Sequence, residues 1–137
     1  GETQVPETLS RIARADPFWA VRVAALEALA SVLSEGQLAK PPQLNLLTSA
    51  ATDRNSRVRR TAIRLLGEAG DPALLPFLRE RFSEDDSYQV QAEAIRAIGR
   101  LGDEKQLPFL REASSMPSHQ DVVQQAAEWA IAEIGGG

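Results

Sequence analysis

Gly70-Asp71-Pro72-Ala73-Leu74-Leu75-Pro76-Phe77-Leu78-Arg79-Glu80 returns later in the chain as Gly102-Asp103-Glu104-Lys105-Gln106-Leu107-Pro108-Phe109-Leu110-Arg111-Glu112. The two stretches are offset by 32 residues, and eight of the eleven positions are identical. A fixed period of roughly 20–50 residues is typical of solenoids, in which one pair or group of elements stacks on the next. This duplication therefore favours a repeat protein.

Four copies of a second pattern run along the chain. Each copy has a valine, followed after four residues by alanine and after eight residues by leucine or isoleucine. The valines are Val21, Val58, Val90 and Val123, at spacings of 37, 32 and 33 residues. Apolar residues at this spacing lie on one face of a helix, where alanine allows a close helix–helix approach. In the last three copies a glycine twelve residues after the valine predicts a left-handed cap at the helix end.

Each repeat is therefore predicted to be a pair of antiparallel helices. We expect the first helices near residues 6–14, 40–51, 72–82 and 104–114. We expect the second helices near residues 17–33, 55–69, 87–101 and 119–134. The fold class is then all-α, an armadillo-like right-handed α-solenoid in one domain over residues 1–137, with repeats at 5–36, 37–70, 71–102 and 103–135.

Composition limits the chemistry that this chain can perform. It has 137 residues, no cysteine and one histidine, His119, which we place in the exposed first turn of the last helix. A thiolate metal site and a zinc site built on several histidines are thereby excluded. No apolar run approaches the ~20 residues of a membrane-spanning helix. We predict a protein that is not an enzyme and has no metal, no cofactor, no small-molecule substrate and no membrane contact.

The repeats resemble HEAT-like repeats, because an aspartate in the turn is followed after five residues by Val-Arg. A narrower likeness lies in the order of four segments, residues 16–22, 57–60, 86–90 and 118–121. This series is similar to the C-terminal HEAT-like domain of aminopeptidase-N-type zinc metallopeptidases. The resemblance implies an accessory module cut from a larger protein, and it carries over no catalytic residue because no His-Glu-x-x-His motif is present. We also expect a cytoplasmic location.

The turn aspartates and the arginines recur in a fixed register. Arg22 follows Asp16 by six residues, and Arg59 follows Asp53 by six residues. This recurrence predicts an inter-repeat ladder, in which a turn aspartate accepts hydrogen bonds from the arginine of the next repeat. The alternative is that these arginines bind an anionic ligand. Glutamine replaces the arginine in the last two copies, at Gln91 and Gln124.

A basic cluster lies in the second repeat. Residues 53–64 hold five arginines and one acid, a local charge of +4, so the rest of a chain with net charge −4 sums to −8. Helical spacing places three of these arginines on one face, and second helices line the concave side of such solenoids. We predict one partner-binding groove for an acidic protein segment, lined by Arg57, Arg60, Arg64, Arg96 and Arg100. The alternative is a solvated face on which Arg64 pairs with Glu68, and Arg96 with Glu93 or Arg100 with Glu104.

Three aromatic residues complete the predicted partner-binding set. Trp129 either anchors a partner on the groove or covers the end of the stack. Phe18 and Trp19 open an unusually apolar helix, which either docks against a neighbouring domain or packs in the core. The leading hypothesis is thus a protein-interaction scaffold. A nucleic-acid-binding solenoid, similar in architecture to HEAT-like DNA glycosylases, is the alternative, and the acidic net charge argues against it.

Overall fold

The computed structural model describes residues 4–34, 36–117 and 121–136. Over these ranges the regular structure is entirely helical, and the predicted all-α fold of paired helices is confirmed. The described residues form eight α-helices: α1 (Gln4–Ala15), α2 (Trp19–Val32), α3 (Pro41–Ala50), α4 (Ser56–Ala69), α5 (Leu75–Glu84), α6 (Tyr88–Leu101), α7 (Leu107–Ser114) and α8 (Val122–Gly136). Single 3-10 turns span Gln37–Ala39, Pro72–Leu74 and Glu104–Gln106.

The helices form two compact units, Gly1–Ala69 and Gly70–Gly137. In the first unit α1 packs on α2, α3 packs on α4, and α2 packs on α4. In the second unit α5 packs on α6, α7 packs on α8, and α6 packs on α8. Each unit is therefore built from two helix pairs, and within a unit the two pairs contact each other mainly through their second helices.

The alanine predicted four residues after each valine lies in the core. Ala62, Ala94 and Ala127 are fully buried and Ala25 is 4% exposed. Around them lie fully buried large side chains, which include Leu26, Leu29, Leu46, Leu47, Ile63 and Leu66 in the first unit and Leu78, Ile95, Ile98 and Leu110 in the second. The predicted helical face is thus the face that packs.

The valine position itself does not behave alike in all copies. Val58, Val90 and Val123 are at most 1% exposed, whereas Val21 is 40% exposed. The expectation of one buried face in four equivalent copies is therefore wrong at Val21. The physical reason is that α4 packs against the second helix before it, α2, whereas none of the described helices precedes α2 in that way.

The duplicated sequence stretch builds one recurring local structure. In each copy a 3-10 turn leads into an α-helix whose second residue is proline, at Pro76 in α5 and Pro108 in α7. Proline is tolerated there because an N–H in the first turn has no partner within the helix. Oδ1 of Asp71 accepts from the N–H of Ala73, and Oδ1 of Asp103 accepts from the N–H of Lys105, both at 3.0 Å.

The glycines that end the second helices do not share one role. Gly70 has a φ of 78°, as a left-handed cap requires. Gly102 has a φ of −86°, so the predicted left-handed cap is wrong there, and Gly135 lies inside α8. At Gly102 a Cβ atom would lie 2.7 Å from the carbonyl oxygen of Ile98, so this glycine permits a close approach of the backbone rather than an unusual φ.

Candidate partner-binding surface

The turn between the two helices of a repeat has the same hydrogen bonding in three copies. Oδ1 of Asp16 accepts from the N–H of Phe18 at 2.9 Å, and Oδ1 of Asp53 accepts from the N–H of Asn55 at 2.8 Å. In the third copy Oδ1 of Asp85 accepts from the N–H of Ser87 at 2.9 Å. Such Asx turns order the backbone just before a helix begins. The recurring aspartates are therefore turn-forming residues.

The residue six positions after each aspartate closes the turn. A guanidinium N–H of Arg22 donates to the carbonyl oxygen of Asp16 at 2.7 Å. The corresponding bonds run from Arg59 to Asp53 at 3.0 Å, and from the side-chain amide of Gln91 to Asp85 at 2.7 Å. Glutamine thus replaces arginine without losing this bond, because one side-chain N–H donor is enough for it.

Arg22 also reaches the next repeat. Its Nε donates to Oδ2 of Asp53 and its Nη2 donates to Oδ1 of Asp53, both at 2.9 Å. The predicted ladder exists at this junction, but its direction is opposite to the prediction, since Asp53 binds the arginine of the preceding repeat. The side chains of Arg22 and Asp53 are 4% and 14% exposed. A buried arginine so fully bonded is a structural residue, and the alternative of an anion-binding Arg22 is not supported.

The ion pair shifts the ionisation of both partners. The hydrogen bonds to Asp53 raise the pKa of Arg22 and outweigh the opposing effect of its burial. Burial acts to raise the pKa of Asp53, but the bonds from Arg22 and from the N–H of Asn55, with the charges of Arg22 and Arg54, outweigh it. The pKa of Asp53 is therefore lowered, and its carboxylate stays charged at neutral pH.

The three arginines predicted on α4 have different surroundings. The guanidinium carbon of Arg57 lies 4.8 Å from the centre of the Trp19 ring. Arg60 is exposed, and Arg64 is half-buried between two acids, Glu68 at 3.3 Å and Glu27 at 3.9 Å. The pairing predicted for Arg64 as the alternative is therefore present. We call the group of Arg57, Arg60, Arg64 and Trp19 the α4 surface.

The two arginines predicted on α6 lie in the second unit. Arg96 pairs at 3.1 Å with Glu93, whose side chain is 7% exposed. The guanidinium carbon of Arg100 lies 5.6 Å from the centre of the Trp129 ring. A single groove that joins these arginines to those of α4 stays a prediction, since α4 and α6 belong to different compact units.

Trp129 lies against α6 at a glycine. A Cβ atom on Gly99 would lie 2.6 Å from Cβ of Ala130 and 3.3 Å from the Trp129 ring. Trp129 is nevertheless 40% exposed and has Arg100 beside it. It therefore covers part of the neighbouring helix while one portion of the ring stays open to solvent.

Phe18 and Trp19 differ in exposure at the start of α2. Phe18 is 71% exposed and Trp19 is 39% exposed. Packing of Phe18 inside the core is thus wrong, whereas Trp19 is partly covered by Arg57. Sequence reasoning named both members of this stacked pair but did not join them. The repeat register gives no signal for this contact, because Trp19 precedes Val21 by two residues whereas Arg57 precedes Val58 by one.

The described residues contain no group of three or more His, Asp or Glu side chains placed to hold a metal ion. His119 lies outside the described ranges. None of the helices in residues 4–34, 36–117 and 121–136 has the length and apolar character needed to cross a bilayer.

Comparison with known proteins places the repeats in a family. The family model for HEAT repeats matches residues 5–93 and 44–132, whereas the comparison with curated proteins gives no match. Among solved structures, human deoxyhypusine hydroxylase in complex with glycerol matches with a TM-score of 0.76 and 20% sequence identity, over 98% of this chain and 44% of that chain. This chain thus spans less than half of that enzyme, and the likeness shows the fold alone. The link to aminopeptidases stays a prediction. Since the family model covers most of the sequence, the chain belongs to the HEAT-repeat family.

Proposed function

We propose that this chain is a non-catalytic protein-binding module whose α4 surface binds an acidic segment of a partner protein. The observation that carries this proposal is the stacking of the Arg57 guanidinium on Trp19 at 4.8 Å. The ring restricts the orientation of the arginine, and Arg57 is exposed to solvent. An arginine held in this way can grip a carboxylate through two parallel N–H···O bonds.

The three arginines of the α4 surface would contribute unequally. The guanidinium of Arg57 stacks on Trp19. Within the described part of the chain it takes part in no hydrogen bond or ion pair. Arg64 already has two acidic neighbours, Glu27 and Glu68. Arg57 is therefore the expected anchor for an incoming carboxylate, and Arg60 adds positive charge one turn away.

Charge favours an acidic protein segment over nucleic acid. The cluster in residues 53–64 carries a local charge of +4 in a chain whose total is −4. A short acidic peptide can meet the cluster alone, whereas a long phosphate backbone would also pass the acidic remainder of the surface. Stacking of successive bases would further need a series of exposed aromatic rings, and the α4 surface has one.

Binding at this surface alone would be weak. An exposed ion pair contributes about 0.2–1 kcal/mol, and an exposed cation–π contact contributes about 0.5–1 kcal/mol. The α4 surface is thus suited to orienting and selecting a segment that a second contact holds in place. A tethered partner would provide this arrangement through its high effective concentration.

The resemblance to aminopeptidase-N-type C-terminal modules suggests a source for the segment. In such an arrangement the acidic segment would belong to a neighbouring domain of a larger cytoplasmic protein, and the chemistry would lie in that domain. The structural match is a hydroxylase, and at 20% identity this likeness supports no hydroxylase activity for the present chain.

A binding assay with charge-reversal variants tests the proposal. The probe is a fluorescently labelled peptide of alternating Glu and Gly, measured by anisotropy at low and physiological salt. The double variant Arg57→Glu, Arg60→Glu should weaken binding by about tenfold, which corresponds to roughly 1.4 kcal/mol. Arg111→Glu is the matched control, because Arg111 is an exposed helical arginine of the second unit.

Equal binding by the double variant and the wild type would overturn the assignment to the α4 surface. Binding of a peptide in which Gln replaces every Glu would show that charge does not select the ligand. Tighter binding to a single-stranded oligonucleotide, with a steep dependence on salt, would favour the nucleic-acid alternative instead.

A further inference from the structure

The first repeat has an apolar outer face that no other described part of the chain covers. Val5 is 54% exposed, Phe18 71%, Val21 40% and Val32 52%. These four residues are half of the eight large apolar side chains that are exposed in the described ranges. The helix α2 has only two charged residues, Arg22 and Glu27, and Arg22 is buried. The exposed surface of α2 is therefore mainly hydrocarbon.

The repeat register shows which kind of helix covers such a face in the later repeats. Val58 and Val123 occupy the position of Val21 in later copies, and they are 0% and 1% exposed. In each case the helix that carries the valine packs against the preceding second helix, α4 on α2 and α8 on α6. The exposed side of α2 is thus the side that a second helix of a preceding repeat covers elsewhere in this molecule.

Asp16, at the edge of this face, has the same turn geometry as Asp53, which joins the first two repeats. Asp53 forms its Asx turn with Asn55 and also accepts two hydrogen bonds from Arg22 of the preceding repeat. Asp16 forms the same turn with the N–H of Phe18. Among the described residues that N–H is the one hydrogen-bond donor to the Asp16 carboxylate. Asp16 thus forms the same turn as Asp53, but within the described ranges no arginine side chain donates to its carboxylate.

The last repeat, in contrast to the first, has a charged residue on its exposed side. Glu128 is exposed in the helical column where Leu26, Ile63 and Ile95 are fully buried. Repeat arrays need polar outer faces on their terminal repeats to remain soluble. The first repeat lacks that property, so its face is suited to be covered.

We propose that the outer face of the first repeat, formed by Val5, Phe18, Val21 and Val32 with Asp16 at its edge, docks a further HEAT-type helix pair that is not part of this chain. The second helix of that pair carries an arginine in the register of Arg22, and this arginine binds Asp16 as Arg22 binds Asp53. The proposal is independent of the α4 surface and of its acidic ligand.

A second copy of this chain does not supply the required arginine at its far end. The residue in that register in the last repeat is Gln124, and its side-chain amide lies 3.5 Å from Glu128. An amide has one N–H₂ group and cannot reproduce the bidentate, charged contact of a guanidinium. The charge on Asp16 thus selects a different helix pair.

The test uses a fusion in which a second copy of residues 5–36 precedes Val5 of the complete chain. This added copy is a HEAT-type pair whose α2 has Arg22 and, in the native chain, packs on α4. Because the chain has no cysteine, Val21→Cys in the original copy gives a single reporter thiol. Its reaction rate with a thiol reagent measures how well the outer face is covered.

The fusion should slow the labelling of Val21→Cys by about tenfold or more relative to the unfused chain, because docking excludes the reagent. Labelling of Glu104→Cys, an exposed position in the second unit, should be unchanged. Asp16→Asn in the original copy should restore part of the fast labelling in the fusion. Arg22→Gln in the added copy should have the same effect, and the two changes together should add little more.

Fast labelling of Val21→Cys in the fusion would overturn the proposal, whether the added copy folds or not. Protection that is unaffected by Asp16→Asn would overturn the assignment of the arginine to Asp16. Concentration-dependent protection in the unfused chain, with a dimer in light scattering, would identify self-association as the use of this face and would contradict the proposed occupant.

Discussion

Arg22 joins two repeats by binding both carboxylate oxygens of Asp53, 31 residues away, while it also donates to the carbonyl oxygen of Asp16 in its own turn. Three of its N–H groups are thereby used at 2.7–2.9 Å, and its side chain is 4% exposed. The residue thus fixes the helix-connecting turn of one repeat and its position against the next. Such a contact explains why an arginine lies in a buried position of a mostly apolar helix.

Removal of this arginine should destabilise the first unit. Arg22→Gln keeps a donor for the Asp16 carbonyl, as Gln91 does in the third repeat, but leaves the partly buried Asp53 without its counter-charge. We expect the free energy of unfolding to fall by about 3 kcal/mol. Urea denaturation measures this, with Arg111→Gln as the exposed control. A loss similar to that of the control would show that the bridge contributes little.

The same contact predicts a dependence of stability on pH. The pKa of Asp53 is lowered in the folded chain from its ordinary value of 3.8. The stability that Asp53 contributes is therefore complete above its ordinary pKa, the value in the unfolded chain. That contribution is lost as the pH falls from there through the lower pKa of the folded chain. The difference in unfolding free energy between the wild type and Asp53→Asn should be constant from pH 7 to about pH 5 and should shrink in stronger acid. A constant difference down to pH 2 would contradict the assignment.

Gly99 should be sensitive to a single methyl group. Gly99→Ala places a Cβ atom 2.6 Å from Cβ of Ala130, so α6 and α8 must separate. We expect a loss of about 1–3 kcal/mol, offset in part by the higher helix propensity of alanine. Gly135→Ala is the matched control in α8, since outside the adjacent backbone of its own helix no described atom lies within 4 Å of the added carbon. The melting temperature should fall for the first variant and stay unchanged or rise slightly for the second.

The sequence predicts close helix packing at the alanine position, and a substitution tests this directly. Ala94 is fully buried at the position that is alanine in every repeat. Ala94→Phe should overpack this contact and cost about 1–3 kcal/mol. A calorimetric melting temperature equal to that of the wild type would show that the site accommodates a ring without displacement.

The helix pairs follow from periodicity, because a repeated apolar spacing determines which face of each helix is buried. The exposure of Val21 does not follow from periodicity, because a residue at this helical position is buried only where another helix packs on that side. Gly102 is a similar case. A glycine at a helix end predicts a left-handed cap, but here the close carbonyl of Ile98 is what excludes a side chain.

The candidate site depends on contacts between helices, which one sequence specifies only through the register of its repeats. The arginines on α4 were identifiable as a charged face, but their separate states were not. Arg57 stacks on Trp19 of another helix, whereas Arg64 is held between Glu27 and Glu68. The predicted direction of the Arg22–Asp53 bridge is wrong for the same reason. Helix spacing does not show which neighbouring repeat a long side chain reaches.

The most direct test of the protein-binding proposal uses Trp19 itself as the reporter. The chain has two tryptophans, so Trp129→Phe leaves Trp19 as the only one. Titration of this variant with an unlabelled Glu-Gly peptide should give a saturable change in Trp19 fluorescence, because a carboxylate that binds Arg57 alters the charge stacked on the ring. The change should be absent when Arg57→Glu is added or when the peptide contains Gln in place of Glu. An unchanged Trp19 signal with the acidic peptide, or the same signal in the Arg57→Glu background, would contradict the proposal.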